Sequence, residues 1–110
     1  MKLLNSLLLI IFVCSFSTAS AQINSHKRAK KLSNKMAKAL DLSNKEKKDI
    51  YQMQFDRFEK SNQLAEEYAD QPDVLKEKKK ELGKEIYNQL KNYLGKDRLE
   101  EWRAWRKQNR

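Results

Sequence analysis

Cysteine, proline, glycine and histidine are nearly missing from this chain of 110 residues, which has one cysteine, one proline, two glycines and one histidine. A lone cysteine, Cys14, excludes an intramolecular disulfide, so any fold must stand on side-chain packing. So little glycine and proline removes the usual punctuation of turn-rich sandwiches and barrels. His26 stands alone, which excludes the clustered His and Cys ligands that zinc requires; no metal and no cofactor are expected. There is no glycine-rich phosphate loop and no Ser/His/Asp set. The paired carboxylates Glu66-Glu67 and Glu100-Glu101 are consecutive, so on a helix they point to different sides. The expectation is a non-enzymatic protein.

What is abundant is Lys, Glu, Leu and Ala, all strong helix formers, and no stretch alternates apolar and polar residues long enough for a strand. The chain therefore reads as all-α. Its first 21 residues read as an export signal: a positive Met1-Lys2 start, an apolar run over residues 3–16, and an Ala19-Ser20-Ala21 cleavage site before Gln22. The apolar run is shorter than the roughly 20 residues a permanent bilayer span needs. Lipoprotein processing at Cys14 is a minor alternative, opposed by Val13 where a small residue is required. Residues 22–110 then form one helical domain in the periplasm.

That domain carries 23 basic and 15 acidic residues, a net charge of +8. Such a surplus often marks nucleic-acid binding, but export argues for acidic client proteins, anionic lipid headgroups or lipopolysaccharide instead. The charge is uneven. Residues 22–48 have nine basic and two acidic side chains, residues 49–70 two basic and six acidic, and both later segments are positive again.

Hydrophobic spacing predicts a helix over residues 25–40, with Ala29, Leu32, Met36 and Ala39/Leu40 on one stripe. Ser43 as N-cap and Glu46 three residues later form a capping box that opens a second helix, reaching about residue 69 and carrying Ile50, Met53, Phe58, Ala65 and Tyr68. Asp70-Gln71-Pro72-Asp73 is a turn, with proline suited to the first turn of a third helix. That helix presents Leu75, Leu82, Ile86, Leu90 and Tyr93 and ends at Leu94, with Gly95 as a left-handed cap. A short fourth helix over residues 96–107 carries Leu99, Trp102 and Trp105. The expected architecture is a long antiparallel helical hairpin with a shorter helix at each end.

The two helix starts resemble each other. Leu42-Ser43-Asn44-Lys45-Glu46 is followed by Ile50 and Met53, and Leu94-Gly95-Lys96-Asp97-Arg98 by Trp102 and Trp105, at a constant offset of 52. Each leucine is expected to pack back as a staple beside its capping residue. This arrangement resembles the paired LTxxQ motifs of the Spy/CpxP family of bacterial periplasmic proteins, over residues 31–107. Both copies depart from the motif: Ser43 and Glu46 stand for Thr and Gln in the first, Gly95 and Arg98 in the second. The resemblance implies a bowed helical hairpin that dimerises into a cradle. It also implies one of three activities: ATP-independent chaperone, inhibitory adaptor of an envelope-stress sensor, or heavy-metal sensor. The last is disfavoured here by the single histidine.

Met53, Phe55, Arg57, Phe58, Trp102 and Trp105, with Lys48, are the expected client-binding set. Tyr51, Met53, Phe55 and Phe58 lie within eight residues, too many for one narrow stripe, so some serve as core or dimer contact and some as an exposed patch. The two tryptophans, flanked by Arg103 and Arg106, suit either an interaction surface or a cap on the open end of the hairpin. Lys76, Lys78, Lys79 and Lys80 are offset by Glu77, Glu81 and Glu85 and read as a solvated face. The expected function is binding of unfolded or acidic proteins by a periplasmic, chaperone-like homodimer. Alternatives are an inhibitory adaptor of one envelope sensor, or a binder of anionic membrane or lipopolysaccharide suggested by the basic first helix.

Secretion through a bacterial host is expected to yield a mature protein starting at Gln22. Intact-mass measurement checks this, and Ala21→Leu is expected to leave the leader attached.

Overall fold

Between residues 2 and 71 the chain contains neither glycine nor proline, so nothing covalent interrupts helix propagation there except caps. The computed structural model describes the backbone of residues 2–110 and the side chains of residues 21–110. It is all-helical: α1 Lys2–Leu40, α2 Asn44–Glu67, α3 Pro72–Leu94 and α4 Lys96–Gln108. There is no strand among the described residues. The export signal, its cleavage site and Cys14 concern side chains outside those described. α1 does not begin at residue 25 as the spacing suggests. It runs unbroken through Gln22, because the segment before Ser25 contains only residues a helix tolerates.

α1 ends by a device that sequence spacing does not reveal. Asp41 adopts φ 51°, a left-handed conformation usually left to glycine or asparagine. The Leu42 N–H then reaches back to the Ala37 carbonyl at 3.1 Å, the six-to-one bond of a Schellman motif, and Leu42 packs against the core. The capping box at Ser43 forms in full, with Ser43 Oγ accepting from Glu46 N and Glu46 Oε1 accepting from Ser43 N, both at 3.1 Å. α2 ends at Glu67, with Tyr68 as its C-cap, two residues earlier than the spacing suggests. Pro72 occupies the first turn of α3, whose N-cap Gln71 supplies no side-chain bond.

Gly95 has positive φ, as expected, but ψ is 160°, not the left-handed helical value. It ends α3 by donating to the Lys91 carbonyl at 2.9 Å and starts α4 by accepting from Leu99 N at 3.2 Å. One residue thus serves as both caps, and the extended ψ turns the chain without a linker.

Each helix contributes to a single core: Met36 and Leu40 from α1, Ile50 from α2, Leu82, Ile86, Leu90 and Leu94 from α3, Leu99 and Trp102 from α4. The α3 residues recur every four positions, the stripe one helix face buries. α1 lies along α2 through small residues, since Ser25, Ala29 and Ser33 are all buried and Ser25 Oγ accepts a bond from Asn62 Nδ2 at 3.1 Å. Gln54 is 1% exposed, a polar residue four positions from both Ile50 and Phe58 and so on their buried face.

The two glycines are expected to respond oppositely to alanine. A Cβ at either meets nothing within 4 Å, so sterics play no part. Gly83 sits inside α3, and Gly83→Ala is expected to stabilise by about 0.5–1 kcal/mol. Gly95→Ala places a side chain at φ 88° and is expected to destabilise by about 1–3 kcal/mol. Urea unfolding of both variants reads the sign.

Candidate binding surface

The first copy of the repeated helix start meets the second. Glu46 Oε2, still free after the capping box is made, accepts from Arg98 Nη2 at 2.6 Å. Arg98 Nε in turn donates to the Leu94 carbonyl at 3.2 Å. Beside them the Tyr93 hydroxyl donates to Asp49 Oδ2 at 2.5 Å. The Arg98 guanidinium, then the Ser43 N–H, hold the Glu46 carboxyl down at about 2. The Glu46 carboxylate pushes Arg98 further up. The bond to Asp49 pushes the Tyr93 phenol up to about 12. These groups are structural: their valences are spent on each other.

The expected client-binding residues do not form one patch. Lys48 is exposed, and with Lys30, Lys47, His26 and Tyr51 it lines a shallow groove of about 310 Å³ between α1 and α2. Tyr51 accepts or donates a hydrogen bond with His26 and stacks on Phe55 at 6.1 Å between ring centroids. Tyr51 and Phe55 are both half-buried. This groove carries cations beside the Tyr51 ring, with Phe55 stacked on Tyr51 outside its lining.

Met53, also half-buried, faces different company. It lines a broad cleft, about 670 Å³, where Asp49, Asp56, Glu59 and Glu85 outnumber Arg57 and Lys60. The basic surroundings expected for Met53 are absent because residues 49–70, around it, carry six acidic and two basic side chains.

Phe58 and Trp102 lie in the interior, at 8% and 3% exposed, so neither offers a free ring to a partner. Phe58 is covered by the Arg28 guanidinium at 4.1 Å and flanked by Arg57 at 5.6 Å from its centroid. Trp102 belongs to the core, beside Gly83, Ile86 and Leu90 of α3, and stacks on the half-buried Trp105 at 5.5 Å and 15°. Trp105 keeps an edge outside.

Arg57 stands at the border of a third depression, about 200 Å³, floored by Ile86, Leu90, Leu99 and Trp102 and edged by Tyr87, Arg103 and Arg106. Burial, then the neighbouring Arg28 and Arg106 charges, push Arg57 below its ordinary value. Tyr87 is 41% exposed, with Arg103 5.8 Å from its ring centroid. Sequence spacing passes over Arg28 and Tyr87. Tyr87 follows Ile86 directly and so falls just off the buried stripe, which is the signal that identifies it.

Among the described residues no three His, Cys, Asp or Glu side chains group as metal ligands, and no helix is long and apolar enough to cross a membrane. No protein-family model, curated protein or solved structure matches the chain.

Because the folded Glu46 carboxyl sits at about 2, below its ordinary 4.5, its contribution to stability is complete above the ordinary value. It is lost as pH falls through about 2. Glu46→Gln keeps an acceptor for Ser43 but removes the charge. Its urea midpoint is expected to fall less steeply than that of the unaltered protein between pH 4.5 and pH 2, whereas parallel curves would contradict the assignment.

Proposed function

We propose that this is an exported, ATP-independent, chaperone-like or envelope-stress protein that holds unfolded or acidic client proteins on a basic, partly apolar helical surface. The reading includes a helical hairpin working as a homodimer in the periplasm, which the Spy/CpxP resemblance implies. The observation that carries it is the groove between α1 and α2, where half-exposed Tyr51 lies beside Lys30, Lys47 and Lys48, with half-exposed Phe55 stacked on Tyr51 next to the groove. Lysines attract an acidic or unfolded chain over a distance of order 10 Å at 0.1 M salt. The open rings then hold its apolar segments loosely, and release follows when the client buries those segments itself. Nothing in that cycle requires a nucleotide.

The physical basis for open rings is size. A domain this small buries only about 60% of the surface its unfolded chain exposes. The four-helix core consumes the α3 stripe, Ile50 and Trp102. Tyr51 and Phe55 lie on the flank of α2 away from that core.

Light scattering of an aggregating acidic client, reduced α-lactalbumin, provides the test. Protection is expected at micromolar protein and is expected to weaken with added salt. The Tyr51→Ala/Phe55→Ala double variant is expected to need roughly tenfold more protein for the same protection while keeping its helical circular dichroism. Undiminished protection by that variant would refute the reading. Pull-down separates chaperone from adaptor: many unfolded clients support the first, one stoichiometric sensor domain the second.

A further inference from the structure

The depression at the junction of α2, α3 and α4 has a property the α1/α2 groove lacks: its cations are arginines set around an apolar floor. Arg57 enters from α2, Arg103 and Arg106 from α4, and Ile86, Leu90 and Leu99 lie beneath them. Among the described residues, no carboxylate oxygen lies within 4.0 Å of any of the three guanidiniums, the two ion pairs being Lys78–Glu81 and Glu46–Arg98. Arg106 instead sits 5.8 Å from the centroid of Trp102, and Arg103 the same distance from that of Tyr87. Three like charges thus converge on one hollow with aromatic faces, not anions, for company.

We infer that this hollow is a second binding site, for a peptide segment in which one large aliphatic side chain is flanked by carboxylates. The peptide class rests on the client-binding reading above; the site itself is separate from the α1/α2 groove. A volume of about 200 Å³ is below the roughly 300–1,000 Å³ of cofactor and drug-sized pockets. It suits a single side chain. Leucine or isoleucine would displace water from Ile86, Leu90 and Leu99. Carboxylates on either side would meet guanidiniums whose planar fork matches them two bonds at a time. Arg57, partly withdrawn from water and crowded by Arg28 and Arg106, gains most from an arriving anion. A lysine-flanked leucine would meet repulsion at the same rim, so the site discriminates by charge as well as by fit.

Trp102 floors the hollow and is one of two tryptophans in the chain. Trp105→Phe therefore leaves it as the sole indole reporter. In that background the peptide Asp-Glu-Leu-Asp-Glu is expected to shift Trp102 emission saturably. Asp-Glu-Ala-Asp-Glu and Lys-Lys-Leu-Lys-Lys are expected to bind at least about tenfold more weakly. Arg103→Gln/Arg106→Gln alters two exposed side chains and is expected to weaken the acidic leucine peptide by about tenfold or more. Gly83→Leu places an apolar side chain at the edge of the hollow without changing charge, and is expected to reduce binding equally. Tyr51→Ala/Phe55→Ala is expected to leave this binding unchanged even where it abolishes protection from aggregation, so the two sites fail separately. Equal binding of the lysine peptide, or full binding by both the Arg103→Gln/Arg106→Gln and the Gly83→Leu variants, overturns the inference. Octanoate or vesicles of anionic phospholipid binding more tightly than the peptide also overturns it, in favour of an amphiphile or a membrane.

Discussion

One carboxylate ties this fold together. Glu46 spends one oxygen on the N–H of Ser43, closing the start of α2, and the other on Arg98 at the start of α4. Exposed ion pairs taken singly contribute about 0–1 kcal/mol, so the pair is not the main source of stability. Its importance is geometric. Arg98 also holds the last carbonyl of α3, and Tyr93 beside it is fastened to Asp49. The ends of three helices are thereby indexed to one another, and the apolar side chains just inside them, Ile50, Leu94, Leu99 and Trp102, meet in register.

With that end fixed, the remainder follows from scarcity of apolar surface. The core draws a full stripe only from α3, while α1 and α2 approach through Ser25, Ala29 and Ser33. Small residues bring helices close but bury little area, and the benefit of burial scales with area. The aromatic rings on the outer flank of α2 are therefore left half-covered, beside the lysines that give residues 22–48 their positive charge. The same shortage places arginines over rings. Guanidiniums shield Phe58 where another apolar helix would otherwise lie, since an arginine stem covers apolar surface while its charge stays near water.

Much of this is written in the sequence. The capping box, Pro72 at the start of α3, the stripe of Leu82, Ile86 and Leu90, and the fourth helix are all local, and local patterns of caps and periodicity report them. What the sequence does not display is whatever depends on a partner distant along the chain. The Glu46–Arg98 pair joins corresponding positions of the repeated motif, but a repeat does not say that its copies touch. Asp41 takes a conformation its type rarely adopts, and only the demand that Leu42 return to the core explains it. Gln54 is buried where periodicity would seat an apolar residue. The candidate site dispersed for the same reason: Lys48 lines a groove with α1, Phe55 stacks on Tyr51 beside it, Met53 faces the carboxylates of its own helix, and Phe58 and Trp102 are claimed by the interior.

Arginine has opposite uses at two places in this bundle. At Arg98 the guanidinium is paired, its charge neutralised by Glu46 and its geometry fixed. At Arg57, Arg103 and Arg106 the charges have no carboxylate within reach among the described residues, and the Arg28 and Arg106 charges bear unfavourably on Arg57. An anion seated among the three would relieve this without moving the backbone. Any ligand that binds the folded chain in preference to the unfolded one stabilises it. The unfavourable charge environment of Arg57 therefore sets the direction of the coupling: what the paired arginine holds in place, the unpaired ones leave ready to be completed by a partner of opposite charge.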